Sequence, residues 1–138
     1  MIVVINCGKQ KATEARPAYS LYTGSFFRTS MQWARCYAPQ KNIYIISARY
    51  GIVRSTTMLQ PYDQRIKRDV LNPALVKKQA KQLGIDKHKP LLIVGKRYMH
   101  LIDAVWQEYE APFAGIEGFA MQQAMKRHIN KLNKQENK

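Results

Sequence analysis

Five side chains offer chemistry that packing alone does not require: Cys7, Lys11, Ser47, Asp63 and Glu117. Asp63 is the lone carboxylate of a basic central segment and follows Pro61-Tyr62 directly. A carboxylate among cations has its charged form favoured, which suits it to act as a base or to face a cationic transition state. Its bland alternatives are a helix cap or an ion pair with Arg49 or Arg65. Glu117, in a loop punctuated by Gly115 and Gly118, is the second candidate acid. Lys9 and Lys11 become amine nucleophiles where burial or neighbouring cations depress their pKa. Cys7 is either a thiolate stabilised by those cations or a small buried residue at a strand end. Ser47 opens a run of hydroxyl, cation, aromatic face and turn residue, Ser47-Ala-Arg49-Tyr50-Gly51, which follows the apolar stretch 43–46. Such a change of character marks a strand delivering side chains to a site.

Other chemistries lack their spacing. Gly95-Lys96-Arg97 is basic and turn-like but is not a P-loop, and no Gly-x-Gly-x-x-Gly follows a strand. His88, His100 and His128 are scattered, and none stands at ligand spacing from a Cys or carboxylate, so no metal is expected. Ser47, His100 and Asp63 have the residue types of a hydrolase triad, but no nucleophile elbow surrounds the serine. The sequence demands no cofactor.

Two motifs carry a resemblance. Ser47-Ala-Arg-Tyr-Gly51 with Pro61-Tyr62-Asp63 resembles the Ser-x-x-Tyr-Gly…Pro-Tyr pattern of the YaaA-type peroxide-stress protein family. Cys7-Gly-Lys-Gln-Lys11, with Leu21-Tyr22-x-Gly-x-Phe-Phe27, is similar to a related group of small bacterial and phage domains. The same opening resembles the Cys-Ser-x-x-Lys stretch of archaeosine synthase, with Gly8 in place of the serine. The matches cover about the first half of a chain much shorter than the YaaA-type proteins. The resemblance implies association with DNA or RNA and, in some members, chemistry on a nucleobase. Its matching positions are Lys11, Ser47, Tyr50, Gly51, Tyr62 and Asp63, the lysine being the one that handles a modified tRNA base in the synthase.

The elements that must position these groups are legible in the hydrophobic pattern. Residues 1–6, 43–46 and 90–94 read as buried strands. Residues 25–38 carry apolar side chains at helical spacing, with Thr23 or Ser25 as cap and Pro39 as stop. Asn72-Pro73 predicts a capped helix start and Gly84 its stop. Residues 98–109 and 119–132 read as two further helices, and residues 49–62 as a long loop. This alternation predicts a single three-layer, Rossmann-like α/β domain over residues 1–132, with a short, mostly parallel sheet, covering helices and a polar, fraying tail over 133–138. Right-handed crossovers then bring the strand ends, at Cys7 to Lys11, Ser47 to Gly51 and Gly95 to Arg97, to one edge.

Charge points to the partner. The 138 residues include 23 Lys+Arg against 9 Asp+Glu, a formal net charge of +14, which favours a polyanion. No acid lies between Glu14 and Asp63, where Arg16, Arg28, Arg35, Lys41, Arg49 and Arg54 fall, and Lys126, Arg127, Lys131 and Lys134 form a second basic group. No segment approaches the roughly 20 apolar residues of a membrane span. The opening Met1-Ile-Val-Val-Ile reads as a strand, and Cys7 and Cys36 suggest reduced thiols, so a cytoplasmic protein without a membrane partner is expected.

Together these features predict an enzyme that acts on a base of nucleic acid, DNA ahead of RNA, by cleavage or exchange of an N-glycosidic bond. Asp63 and Lys11 would do the chemistry, and Tyr50 or Tyr62 would stack an extruded base. Lys9, Arg49, Arg54, Lys96 and Arg97 would hold the backbone. A non-catalytic basic DNA-binding protein and an enzyme for free nucleosides or nucleotides are the alternatives.

Overall fold

The apolar runs at residues 2–5, 43–46 and 91–93 are buried throughout. Strands covered by helices on both faces require such continuous burial. In the computed structural model, which describes residues 1–63 and 71–136, strand β1 (Val3–Asn6), short strand β2 (Arg16–Pro17), one-turn helix α1 (Ala18–Leu21) and helix α2 (Ser25–Arg35) come first. Strands β3 (Ile43–Ser47), β4 (Gly51–Arg54) and β5 (Met58–Leu59) follow. Helix α3 (Pro73–Gln82), strand β6 (Leu91–Ile93) and helices α4 (Met99–Val105) and α5 (Gly118–Glu136) complete the chain.

The main sheet has the order β4-β3-β1-β6. Strand β1 pairs in parallel with both β3 and β6, and β4 adds an antiparallel edge to β3. The chain therefore crosses from β1 to β3 in one direction and returns past β1 to β6. Right-handed crossovers put α2 and α3 on opposite faces, giving three layers. Helix α5 packs on α2, and α4 on α3. The strand end at which successive connections leave toward opposite faces is where ligands bind in sheets of this kind.

The structure departs from the sequence pattern in four places. Residues 49–62 are not a plain loop: β4 folds back on β3, and β5 pairs antiparallel with β2. Ile52 and Val53 complete the sheet edge, a short run that Gly51 and Arg54 obscure in the sequence. Helix α2 ends at Arg35, and Gly24 precedes it without any side-chain cap from Ser25 or Thr23. The helix expected to reach residue 109 stops at Val105, because Trp106 turns to donate its indole N–H to the Ile85 carbonyl at 3.0 Å. Residues 133–136 are not a fraying tail but continue α5, whose polar end contains good helix formers and no glycine or proline. Asn72 caps α3 as expected, its Oδ1 accepting from Leu75 N at 2.8 Å, and Gly84 ends that segment in the left-handed region at φ 73°. Among the described residues no helix is long and apolar enough to cross a membrane.

Candidate active site

Parallel pairing of β1 with β3 aligns Asn6 with Ile46, so Cys7 and Ser47 emerge side by side at the carboxyl end of the sheet. The Cys7 N–H donates to the Ile46 carbonyl at 2.9 Å, and the thiol accepts from Ala48 N at 3.4 Å. From the other side Tyr98, just beyond β6, places its hydroxyl 3.2 Å from Cys7 Sγ. Asn6 Oδ1 accepts from Gly95 N at 2.6 Å, which fixes that third strand end to the first. The three strand ends converge.

Ser47 is the hub of the second half of the site. Fully buried, its Oγ accepts the backbone N–H of Arg49 at 3.3 Å and of Tyr50 at 3.2 Å, a serine turn that shapes the hairpin. The Tyr22 hydroxyl donates to the same oxygen at 3.1 Å, and the Tyr62 hydroxyl lies 3.0 Å from it. Tyr22 and Tyr62 share a 2.7 Å hydrogen bond with each other. With its oxygen so engaged, Ser47 ties the two phenols to the turn.

Lys11 reaches this cluster because an antiparallel bridge sets it opposite Tyr22, while β2–β5 pairing draws the segment before Tyr62 alongside. Its Nζ donates to the Lys9 carbonyl at 2.9 Å and lies 4.2 Å from the centroid of the Tyr62 ring, a cation–π contact. Burial pulls the Lys11 pKa below the usual lysine value, against the opposing pull of Cys7 and Asp63. Asp63 is thus close enough to act on the lysine's charge, yet no ion pair joins them among the described residues. Asp63 itself is exposed, and its proposed partner Arg65 lies outside the described residues.

The phenols are driven the other way. Burial, reinforced by Cys7, raises Tyr62, Tyr22 and Tyr98 above the ordinary tyrosine value. They therefore remain neutral hydrogen-bond donors at physiological pH. Tyr62 meets Tyr22 and Tyr50 edge-on, at centroid distances of 6.3 and 5.7 Å. Lys11 covers its face, and the Arg49 guanidinium stands 5.8 Å from the centroid of the Tyr50 ring, whose hydroxyl donates to the Gln60 carbonyl at 3.2 Å.

Cys7, Lys11, Ser47, Tyr50, Tyr62 and Asp63 thus assemble, with Lys9 and Arg49 exposed beside them and Lys96 and Arg97 just before Tyr98. Glu117 is exposed and lines a groove shared with Asn6, Lys96, Arg97 and Tyr98, at the β6 side of the strand ends. One expected residue stands apart: Arg54 pairs across from Tyr44, three positions down the ladder from the Ser47–Gly51 pair, and so lies away from the strand ends. Tyr22 and Tyr98 were not among the expected site residues. Tyr22 lies within the Leu21-Tyr22-x-Gly motif, and that was its one sequence signal. Tyr98 reads in sequence only as a helix start. Among the described residues no group of His, Cys, Asp and Glu could hold a metal ion.

No curated protein and no solved structure matches the chain. Residues 2–127, which include every member of this site, match DUF6884, a family of unknown function, and the chain belongs to that family.

Proposed function

We propose that the protein acts on a nucleobase of nucleic acid, DNA ahead of RNA, by cleaving or exchanging its N-glycosidic bond in the cytoplasm. The observation that carries this reading is Lys11: a half-buried amine, its pKa lowered by burial, held on the Tyr62 ring beside a thiol and the Asp63 carboxylate. In the reaction the Lys11 ammonium first gives up a proton, and the amine then bonds to C1′ of the sugar and loses a second proton. The bond from C1′ to the base breaks, its electron pair leaving with the base, which takes up a proton. Ring opening gives an imine on Lys11, with the sugar ring oxygen protonated. Water then hydrolyses the imine to the sugar aldehyde and frees the amine; in exchange, a second base adds its N–H across the imine instead, and the sugar hydroxyl recloses on C1′, its proton going to the Lys11 amine as that leaves. Asp63 stabilises positive charge on the sugar. Tyr50 stacks the extruded base, and Lys9, Arg49, Lys96 and Arg97 hold phosphates. The resemblance to the YaaA-type family and to archaeosine synthase, at Lys11, Ser47, Tyr50, Gly51, Tyr62 and Asp63, supports the same reading.

The test is borohydride trapping on oligonucleotides carrying natural and modified bases, with released bases identified by mass spectrometry. A covalent adduct and a freed base are expected from the wild type, and neither from Lys11→Ala. Base release that survives both Lys11→Ala and Asp63→Asn would show the site assignment to be wrong. One observation favours a non-catalytic DNA-binding protein instead: Ser47 Oγ and Cys7 Sγ are both already engaged by neighbours. That reading expects tight binding with no adduct and no base release. Activity on free nucleosides that salt does not weaken would point to the remaining alternative.

A further inference from the structure

Helices α2 and α5 lie against each other, and neither carries a carboxylate over residues 25–35 or 118–135. Beside their junction, and bordered by α1, runs a groove of about 740 Å³. Its floor is built: Thr29 and Gln122 are both buried, and Gln122 Nε2 donates to Thr29 Oγ1 at 3.5 Å. Ser30 Oγ on Met125 Sδ at 3.9 Å, and the Trp33 indole N–H on His128 Nδ1 at 3.1 Å, hold the two helices in place. The walls carry Arg28 and Arg35 from α2, Lys126 from α5, and Arg16.

Arg16 is answered by Glu14 at 3.2 Å, but among the described residues no carboxylate pairs with Arg28, Arg35 or Lys126. Gln40 Oε1 accepts from Arg35 Nε at 3.2 Å, and the guanidinium stands 5.9 Å from the centroid of the Tyr19 ring, which is itself exposed. Arg28 and Arg35 are about 10 Å apart along the helix axis, at roughly 1.5 Å rise per residue. That spacing, with Lys126 facing them from α5, suits a chain of phosphates. Tyr22, itself buried, stands between this groove and the candidate active site, where its hydroxyl is bonded to Ser47 and Tyr62.

We infer that this groove is the channel for the backbone of a single-stranded nucleic acid. Arg28, Arg35 and Lys126 hold its phosphates, Tyr19 offers a face to a base, and the strand passes Tyr22 toward Lys11. A concave, acid-free path between two helices fits one strand, and a single strand presents its bases without the cost of unstacking a duplex. The delivery of that strand to Lys11 rests on the proposed reaction; the binding does not.

The test is fluorescence anisotropy with a labelled oligothymidylate, comparing two variants of equal charge loss. Arg28→Gln/Arg35→Gln/Lys126→Gln removes every cation of the groove except Arg16, which Glu14 answers. Lys77→Gln/Lys78→Gln/Lys81→Gln removes as much charge from exposed positions on α3, on the opposite face. At about 0.7 of a counterion per phosphate contact, three lost contacts lower the salt slope by about 2 and weaken binding roughly 100-fold at 0.1 M salt. The α3 variant should lose no more than about threefold, since charges beyond a Debye length are screened. Equal losses in the two variants, or no binding by the wild type, would overturn the channel. Groove-dependent binding without any base release supports the channel while sinking the glycosidic reaction. Base release with unchanged affinity in the groove variant does the reverse.

Discussion

Replacing Gly51 with alanine probes the lock on the turn that presents Ser47, Arg49 and Tyr50. Gly51 sits at φ 76°, in the left-handed region, and an added Cβ would run into the side-chain amide of Gln79. That amide is not free to give way. Its Oε1 accepts from Ile52 N at 3.0 Å and its Nε2 donates to the Tyr50 carbonyl at 3.0 Å, so α3 grips both sides of the turn. The left-handed backbone costs an alanine about 1–2 kcal/mol. Displacing Gln79 forfeits two hydrogen bonds, about 1–3 kcal/mol together. Gly51→Ala should therefore cost about 2–5 kcal/mol, a large part of the roughly 5–15 kcal/mol that holds a domain folded. Gln79→Ala alone should cost about 1–3 kcal/mol, the two hydrogen bonds without the strain. In the double variant the obstacle is already gone, so its cost should match that of Gly51→Ala and fall short of the sum. Urea unfolding followed by the fluorescence of the buried Trp33 and Trp106 reads all three. Strict additivity would refute the clash and leave only backbone strain at Gly51.

Two further outcomes follow from the same contacts. Asn72→Ala removes the cap of α3 and should lower stability by about 1 kcal/mol in the same unfolding assay, with Asn72→Asp retaining most of it. The raised phenols set an alkaline limit: with folded pKa values above the ordinary 10.0, their contribution is fully present below that pH and is lost as pH rises beyond it, because only the unfolded chain then releases the protons. Unfolding measured from pH 9 upward should show that decline, shallower in Tyr62→Phe; an identical slope in the variant would count against burial of that hydroxyl.

Much of the frame is legible in the chain because burial on both faces of a parallel strand writes a continuous apolar run. Residues 2–5, 43–46 and 91–93 could be placed in this way, and with them the convergence of Cys7, Ser47 and the segment before Tyr98 at one edge. The helix starting at Asn72-Pro73 was equally plain, since its cap and stop are local chemistry. Strand β4 was not, because an edge strand of four residues interrupted by glycine and arginine has no pattern of its own until β3 offers it hydrogen bonds.

The site divides along the same line. Residue types alone mark Cys7, Lys11, Ser47 and Asp63 as chemically capable, and the excess of positive charge is a property of composition. Which of them meet is a matter of tertiary structure. Pairing between β2 and β5, remote in sequence, carries Tyr62 under Lys11; the parallel register of β1 and β3 sets Cys7 beside Ser47; and Tyr22 and Tyr98 enter only because their hydroxyls find buried partners there. Arg54, no less reactive by type, is left outside, and Glu117 meets the site only across the groove it shares with Tyr98. A side chain's intrinsic chemistry is local and can be read from its letter, whereas desolvation, neighbouring charge and hydrogen-bond geometry depend on distances that only the folded chain creates.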